Sequence, residues 1–169
     1  MKYLFFVVLL VTAVITAGCT NHLPTQPFSQ VTIEAEFGSP YSDSEQEVTV
    51  YSMQKNISYT SIFYNVSSVK EASNGNTFFI IDAQIKNSGA DKITVFPHDF
   101  SMIASDGNRY EKIPYYGEDR LGAGELKKNQ HKRGILLFEV PQNARNLVLS
   151  YHIKGKLLTW KINETRGNY

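Results

Sequence analysis

The sequence predicts an all-β domain, a sandwich or barrel of about eight short strands, and three observations carry this. Apolar and polar residues alternate along several segments, turn-forming residues recur about every 8–12 positions, and no segment sustains a helical period over ten residues. Val48 to Met53 and Tyr59 to Tyr64 are rich in β-branched and aromatic residues, which suit a pleated, half-buried surface. Phe79, Ile81, Ala83 and Ile85 share one face of the next strand, while Asp82, Gln84 and Lys86 point the other way. Asn87 to Asp91 is a turn, followed by strands at Ile93 to Phe96 and Phe100 to Ala104. Asp106-Gly107 is a hairpin signal feeding Arg109 to Ile113. Ile135 to Val140 is a near-continuous apolar run ended by Pro141, as expected of a central strand. Leu147, Leu149 and Tyr151 alternate next, then Leu158, Trp160 and Ile162. Phe79, Ile81, Leu136, Phe138, Leu149 and Trp160 form the expected core.

Ahead of the domain, Lys2 and the apolar run from Leu4 to Ala17 read as a signal peptide over residues 1–18. The run is too short to span a bilayer, which takes about 20 residues. Thr16-Ala17-Gly18-Cys19 resembles the lipobox of prokaryotic lipoproteins, in which the cysteine thiol receives a diacylglyceryl group and the chain is cut before it. Thr16 stands where leucine is usual. Cys19 is the only cysteine of 169 residues, so the mature chain forms no internal disulfide. Two or more acyl chains hold a protein stably on a membrane, where one does so marginally. Residues 19–46, rich in Thr, Ser, Pro and Gln, read as a tether, and 47–169 as the β-domain. About 27 flexible residues span about 30 Å. Val31, Ile33, Ala35 and Phe37 alternate with polar neighbours, so whether 31–37 adds a strand to the domain stays open.

Five blocks in the second half form an ordered signature: Gly75 to Asp82, Lys86-Asn87-Ser88-Gly89, Pro97 to Phe100 with Asp106 to Tyr110, Gly124 to Lys127, and Gly134 to Pro141. Together they resemble an uncharacterised immunoglobulin-like domain family of bacterial and archaeal lipoproteins, a domain of unknown function often mislabelled as a telomeric-repeat-binding factor. That family is similar in fold to a small secreted mycobacterial immunogenic β-sandwich protein. The resemblance covers roughly residues 47 to 155 and implies an immunoglobulin-like antiparallel β-sandwich outside the cytoplasm. It transfers no catalytic residue, and a secreted location excludes nucleic acid as a partner. Lys128-Asn129 stands where the family usually has Pro-Gly, and Asn can supply the left-handed conformation of the missing glycine. Gly134 is expected to let two chains approach closely, and Asp99 to bond nearby turn amides.

Catalysis has little to build on. The four histidines, His22, His98, His131 and His152, lack metal-motif spacing, and no nucleophile-elbow pattern occurs. The chain is therefore expected to be no enzyme and to hold no cofactor. A copper or zinc site from His98, Asp99, His131 and His152 is the alternative, making the chain a metal or small-ligand carrier. Asn56, Asn65 and Asn163 open N-glycosylation sequons, three in a chain rich in Asn, Ser and Thr.

Charge divides the chain. Glu34, Glu36, Asp43 and Glu45 of the tether, with Glu47 next to it, put five acids and no Lys or Arg between Cys19 and Val48, and the 16 bases from Val48 onward face 11 acids. Lys127, Lys128, Lys132 and Arg133, beside His131, concentrate the excess at one turn. That cluster admits two roles: a surface for an anionic partner, against which the acidic tether would compete, or a solvated loop whose charges guard the aggregation-prone Ile135 to Phe138 run. The function expected is a binding or structural module of the cell envelope, lipid-anchored to the cell membrane or outer membrane and meeting an envelope protein or anionic polymer.

Overall fold

A computed structural model describes residues 30–63 and 66–162. In chain order the strands are β1 (Val31–Glu34), β2 (Tyr41–Ser42), β3 (Gln46–Asn56), β4 (Ser58–Phe63), β5 (Val66–Glu71), β6 (Asn76–Asn87) and β7 (Lys92–Val95). A 3-10 turn at Pro97–Asp99 leads into β8 (Phe100–Ile103), β9 (Arg109–Ile113), β10 (Gly124–Lys127), β11 (His131–Pro141), β12 (Val148–Ile153) and β13 (Lys156–Lys161). Nine strands form one curled sheet in the order β1-β13-β12-β8-β9-β11-β6-β3-β2, and β10-β7 and β4-β5 make two ribbons.

The curl turns one sheet into two layers because β9 changes partner along its length. Its first residues pair with β8, Ile103 opposite Arg109 and Ser101 opposite Glu111. Its last two pair with β11, Phe138 opposite Lys112 and Leu137 opposite Ile113. Strands that switch layers make the corners of β-sandwiches. The fold is thus the expected immunoglobulin-like, mostly antiparallel β-sandwich.

Period-two alternation fills the space between the layers. Phe79, Ile81, Ala83 and Ile85 all point inward and are buried, as are Leu136, Phe138, Leu149 and Trp160. In β3 the register shifts between Val50 and Ser52, a bulge at Tyr51. That extra residue lets Val48, Val50 and Met53 all face the core, which strict alternation forbids. Asp106-Gly107 makes the β8–β9 hairpin: Gly107 has φ 85° and Asn108 N–H donates to Asp106 Oδ1 at 3.0 Å. Lys154 (φ 44°) and Gly155 (φ 75°) join β12 to β13 in a two-residue turn with both residues left-handed, the twist a tight hairpin needs.

Residues 31–42 settle the open point about the tether segment. β1 pairs in parallel with β13, Val31 opposite Lys156 and Glu34 opposite Thr159. Ala35 N–H then donates to Thr159 O in one layer and Gly38 N–H to Val50 O in the other, both at 2.8 Å. β2 pairs with β3. Ile33, Ala35, Phe37 and Tyr41 pack against the core, so this segment straps the open side of the sandwich.

Candidate functional site

Three groups of polar side chains stand out, and two of them lie at one end of the sandwich. The first surrounds the 3-10 turn. Burial pushes the Asp99 carboxyl up, and the neighbouring His152 and His98 imidazoles offset only part of that rise. His152 Nδ1 lies 3.0 Å from Gln30 Nε2. Asp99 N–H donates to Phe96 O and Phe100 N–H to Pro97 O, so backbone carbonyls take the turn amides expected to bond the Asp99 carboxyl. His131 stands elsewhere, on β11 opposite Lys86 in the other layer. Among the described residues no group of three or more His, Cys, Asp or Glu is placed to hold a metal ion. Tyr151 beside this turn is buried and receives Gln46 Nε2–H at 2.5 Å; burial pushes its phenol up to about 12.

The second group is the basic turn between β10 and β11. Asn129 sits there at φ 67°, in the left-handed conformation its sequence position calls for. Lys127 and Lys128 are exposed. Lys132 Nζ–H donates to Ala123 O at 2.8 Å. Arg133 forks onto Asp82 at 2.7 and 3.0 Å and lies 3.9 Å from the Tyr51 ring centroid. Of the four bases expected to form a surface, two therefore have partners of their own. The acids of the strap engage other lysines: Glu34 pairs with Lys161 and Glu45 with Lys154, while Glu47 lies 3.7 Å from Lys86. Asp43 accepts the N–H groups of Glu45 and Gln46. The expected docking of an acidic tether on Lys127 to Arg133 is thus replaced by pairing with β6 and with the β12–β13 hairpin.

The third group lies on the outer face of the layer that holds β6 and β11. Tyr59 of β4 packs edge-on to Phe78 at 5.2 Å and against Tyr115 at 5.4 Å, over Leu137. Burial and a hydrogen bond to Asp119 push the Tyr115 phenol up to about 12. An open cleft of about 290 Å³ beside this ribbon is lined by Ser58, Glu71, Ser73, Asn76 and Gln142 among others. Asn56 is exposed at the end of β3. Cys19, Asn65 and Asn163 lie outside the described residues.

A family model described as Domain of unknown function (DUF4352) matches residues 35–158. The chain belongs to that family. Curated proteins give no match. Among solved structures, the secreted protein MPT63 of Mycobacterium tuberculosis is 15% identical with a TM-score of 0.57, covering 79% of this chain and all of that one (100%). An uncharacterized β-sandwich protein of Clostridium difficile is 14% identical with a TM-score of 0.56, covering 79% and 96%. A Bacillus subtilis protein described as a candidate lipoprotein is 19% identical with a TM-score of 0.57 over 75% of this chain and 39% of its own. These likenesses show the fold, including the expected one to a small mycobacterial secreted β-sandwich.

Two signature residues of this DUF4352 domain have structural jobs that the structure makes explicit. Asn87 is fully buried: its Nδ2–H donates to Leu126 O at 3.0 Å and its Oδ1 accepts Gly89 N–H at 3.2 Å. Its backbone donates to Gln130 O and accepts from Asn129 N–H. The sequence marked it as a turn residue, and only its burial shows it as the pin of the basic turn. At Gly134 a Cβ would lie 2.5 Å from Asp119 O and Leu121 N, so the close approach is real. Both that segment's bonds, Ile135 N–H to Asp119 O and Leu121 N–H to Ile135 O, depend on it.

Proposed function

We propose that this DUF4352 chain is a lipid-anchored, non-catalytic binding or structural module on the outer side of a prokaryotic membrane. The observation that carries this is Cys19, the one cysteine of the chain, set directly after an apolar run and Thr16-Ala17-Gly18. Two structures of similar fold support it by name, one a secreted protein and one a candidate lipoprotein. With β1 beginning at Val31, no more than about 40 Å of chain can separate Cys19 from the first strand. The module is therefore held close to its membrane.

The dispersal of its titratable groups supports a role without catalysis. Glu71 is the one carboxylate lining the open cleft, and the His98–Asp99–His152 group has no third-strand partner from His131. The partner favoured is another envelope protein rather than an anionic polymer, because Asp82 and a backbone carbonyl already engage half of the basic cluster. Fractionation of cells expressing the full chain tests the anchor. Cys19→Ser should move the protein from the membrane to the soluble or secreted fraction, and a variant that stays on the membrane to the wild-type extent refutes it.

A further inference from the structure

Among the described strands, the β4–β5 ribbon is the one place where strand edges are left unguarded. From Asn56 to Val69 the sequence contains no charged residue, no proline and no glycine. β4 and β5 form a two-stranded sheet of their own, Thr60 opposite Val69 and Ser61 opposite Ser68, with no third strand among the described residues. One ribbon face rests on the body through Tyr59 and Ser61, which are buried. The other face holds Thr60, Ile62, Ser67 and Val69, all exposed, with Ile62 at 56% and Val69 at 64%. β5 is the outer strand, since no residue along it is buried.

Natural edges are normally blunted by charge, proline, brevity or cover. The other edges here follow that rule: β1 carries Glu34 paired to Lys161, β2 has two residues, and the β7–β10 ribbon carries the Lys92–Glu125 pair. β5 instead offers Val66-Ser67-Ser68-Val69 with its charges only at the far end, Lys70 and Glu71. A strand that pairs with it must be neutral over the same length and alternate in the same way. Among the described strands β8 and β12 also lack Lys, Arg, Asp and Glu, but both of their edges are already paired, so the unpaired strand chemistry that meets both conditions is that of the ribbon itself.

We propose that the β5 edge pairs with β5 of a second copy, joining two ribbons antiparallel into one four-stranded sheet. A two-fold register centred on Ser68 sets Val69 opposite the partner copy's Ser67, and Ser67 opposite its Val69. It keeps the two Lys70 side chains at opposite ends, so no like charges meet, and it leaves both exposed faces on the same side. This goes beyond the envelope-module assignment and does not depend on the lipid: it concerns an interface that exists with or without an anchor. The ribbon's base lies at the Asn56 end of β3, whereas Glu45, just before its start, contacts Lys154 next to the point where β1 enters. Eleven residues of strand, about 33 Å, separate the two, so pairing at the ribbon's base leaves the chain entry clear.

Sedimentation equilibrium of the full chain in density-matched detergent tests it, with melting followed on the same samples. The wild type should show a reversible monomer–dimer equilibrium. Ser67→Lys with Val69→Lys sets lysine opposite lysine twice and should weaken dimerisation about tenfold or more at unchanged melting temperature. Ser67→Glu with Val69→Lys sets opposite charges across the same two positions and should restore the dimer. A wild type that is monomeric at every concentration, a double-lysine variant that still dimerises, or a charge-swapped variant that does not recover would each overturn the proposal. None of these outcomes bears on Cys19, so failure here leaves the anchor standing.

Discussion

Replacing Asn87 by alanine should destabilise the domain far more than a turn residue ordinarily does. The side chain makes two hydrogen bonds in a fully buried position, one to Leu126 O and one from Gly89 N–H. Each is worth about 1 kcal/mol net, and stranding a buried partner adds about 1–3 kcal/mol for the group left without its bond. Gly89 N–H retains Glu45 O at 3.3 Å, so the heavier loss falls on the Leu126 side. The expected cost is about 2–4 kcal/mol. For a domain of this size that lowers the melting temperature by about 6–15 °C. Thermal unfolding followed by circular dichroism reads it directly, with Asn129→Gly as the comparison. Asn129 already holds φ 67°, a conformation glycine adopts without strain, so that change should stay within about 0.5 kcal/mol. If Asn87→Ala and Asn129→Gly melt alike, the buried asparagine is not the pin of this turn.

Leu136→Ala or Phe138→Ala should cost about 2–5 kcal/mol in denaturant unfolding, since both side chains are at most 2% exposed in the main core; wild-type stability in both variants would contradict the packing. Glu139 receives Ser73 N–H at 2.7 Å and Asn76 Nδ2–H at 3.1 Å, and the Ser73 side-chain hydroxyl, ahead of these two, holds its carboxyl below the usual range. A depressed folded-state pKa adds stability above the unfolded value, here 4.5, that is lost as pH falls through the folded one. Glu139→Gln should therefore flatten the acid limb below about pH 4.5, and an unchanged slope in acid melting curves would count against it. A truncation beginning at residue 48 removes Ile33, Ala35, Phe37 and Tyr41 from the core edge, at about 1–2 kcal/mol for each large side chain. It should melt at least 10 °C below a chain beginning at residue 30, and equal melting would show that the strap contributes nothing.

The elements legible in the sequence are those whose instructions are local. Alternation placed the inward face of β6 correctly from Phe79 to Ile85, and a near-continuous apolar run placed β11 at the centre of its layer. Asp106-Gly107, Asn129 and Gly134 each announced a backbone requirement that side-chain chemistry alone dictates. The elements that escaped are short or depend on distant partners. β2 and β10 have two and four residues, too few to show a period. β1 exists because β13 lies beside it, a parallel pairing between residues 31 and 156 that no window of sequence contains. Family likeness was visible from about residue 47, while the matched domain begins at 35, inside that strap.

The candidate site shows the same boundary between local and distant information in its charges. Counting along the chain separates five acids from a basic domain and suggests two bodies that attract each other from either end of a linker. Folding removes the distinction. Glu34 finds Lys161 because parallel pairing aligns β1 with β13, and Glu45 finds Lys154 because the β12–β13 turn reaches the start of β3. These are exposed ion pairs, each worth at most about 1 kcal/mol and weakened by salt, so they do not hold the strap in place. Its apolar residues do that, and the charges follow. The consequence for function is that the basic cluster loses its supposed competitor and has two of its four bases already engaged, Arg133 by Asp82 and Lys132 by Ala123 O. What the fold leaves conspicuous is the neutral ribbon of β4 and β5, whose significance cannot be read from composition. A chargeless stretch is ordinary when it is buried, and it becomes informative only once Ile62 and Val69 are seen standing in solvent.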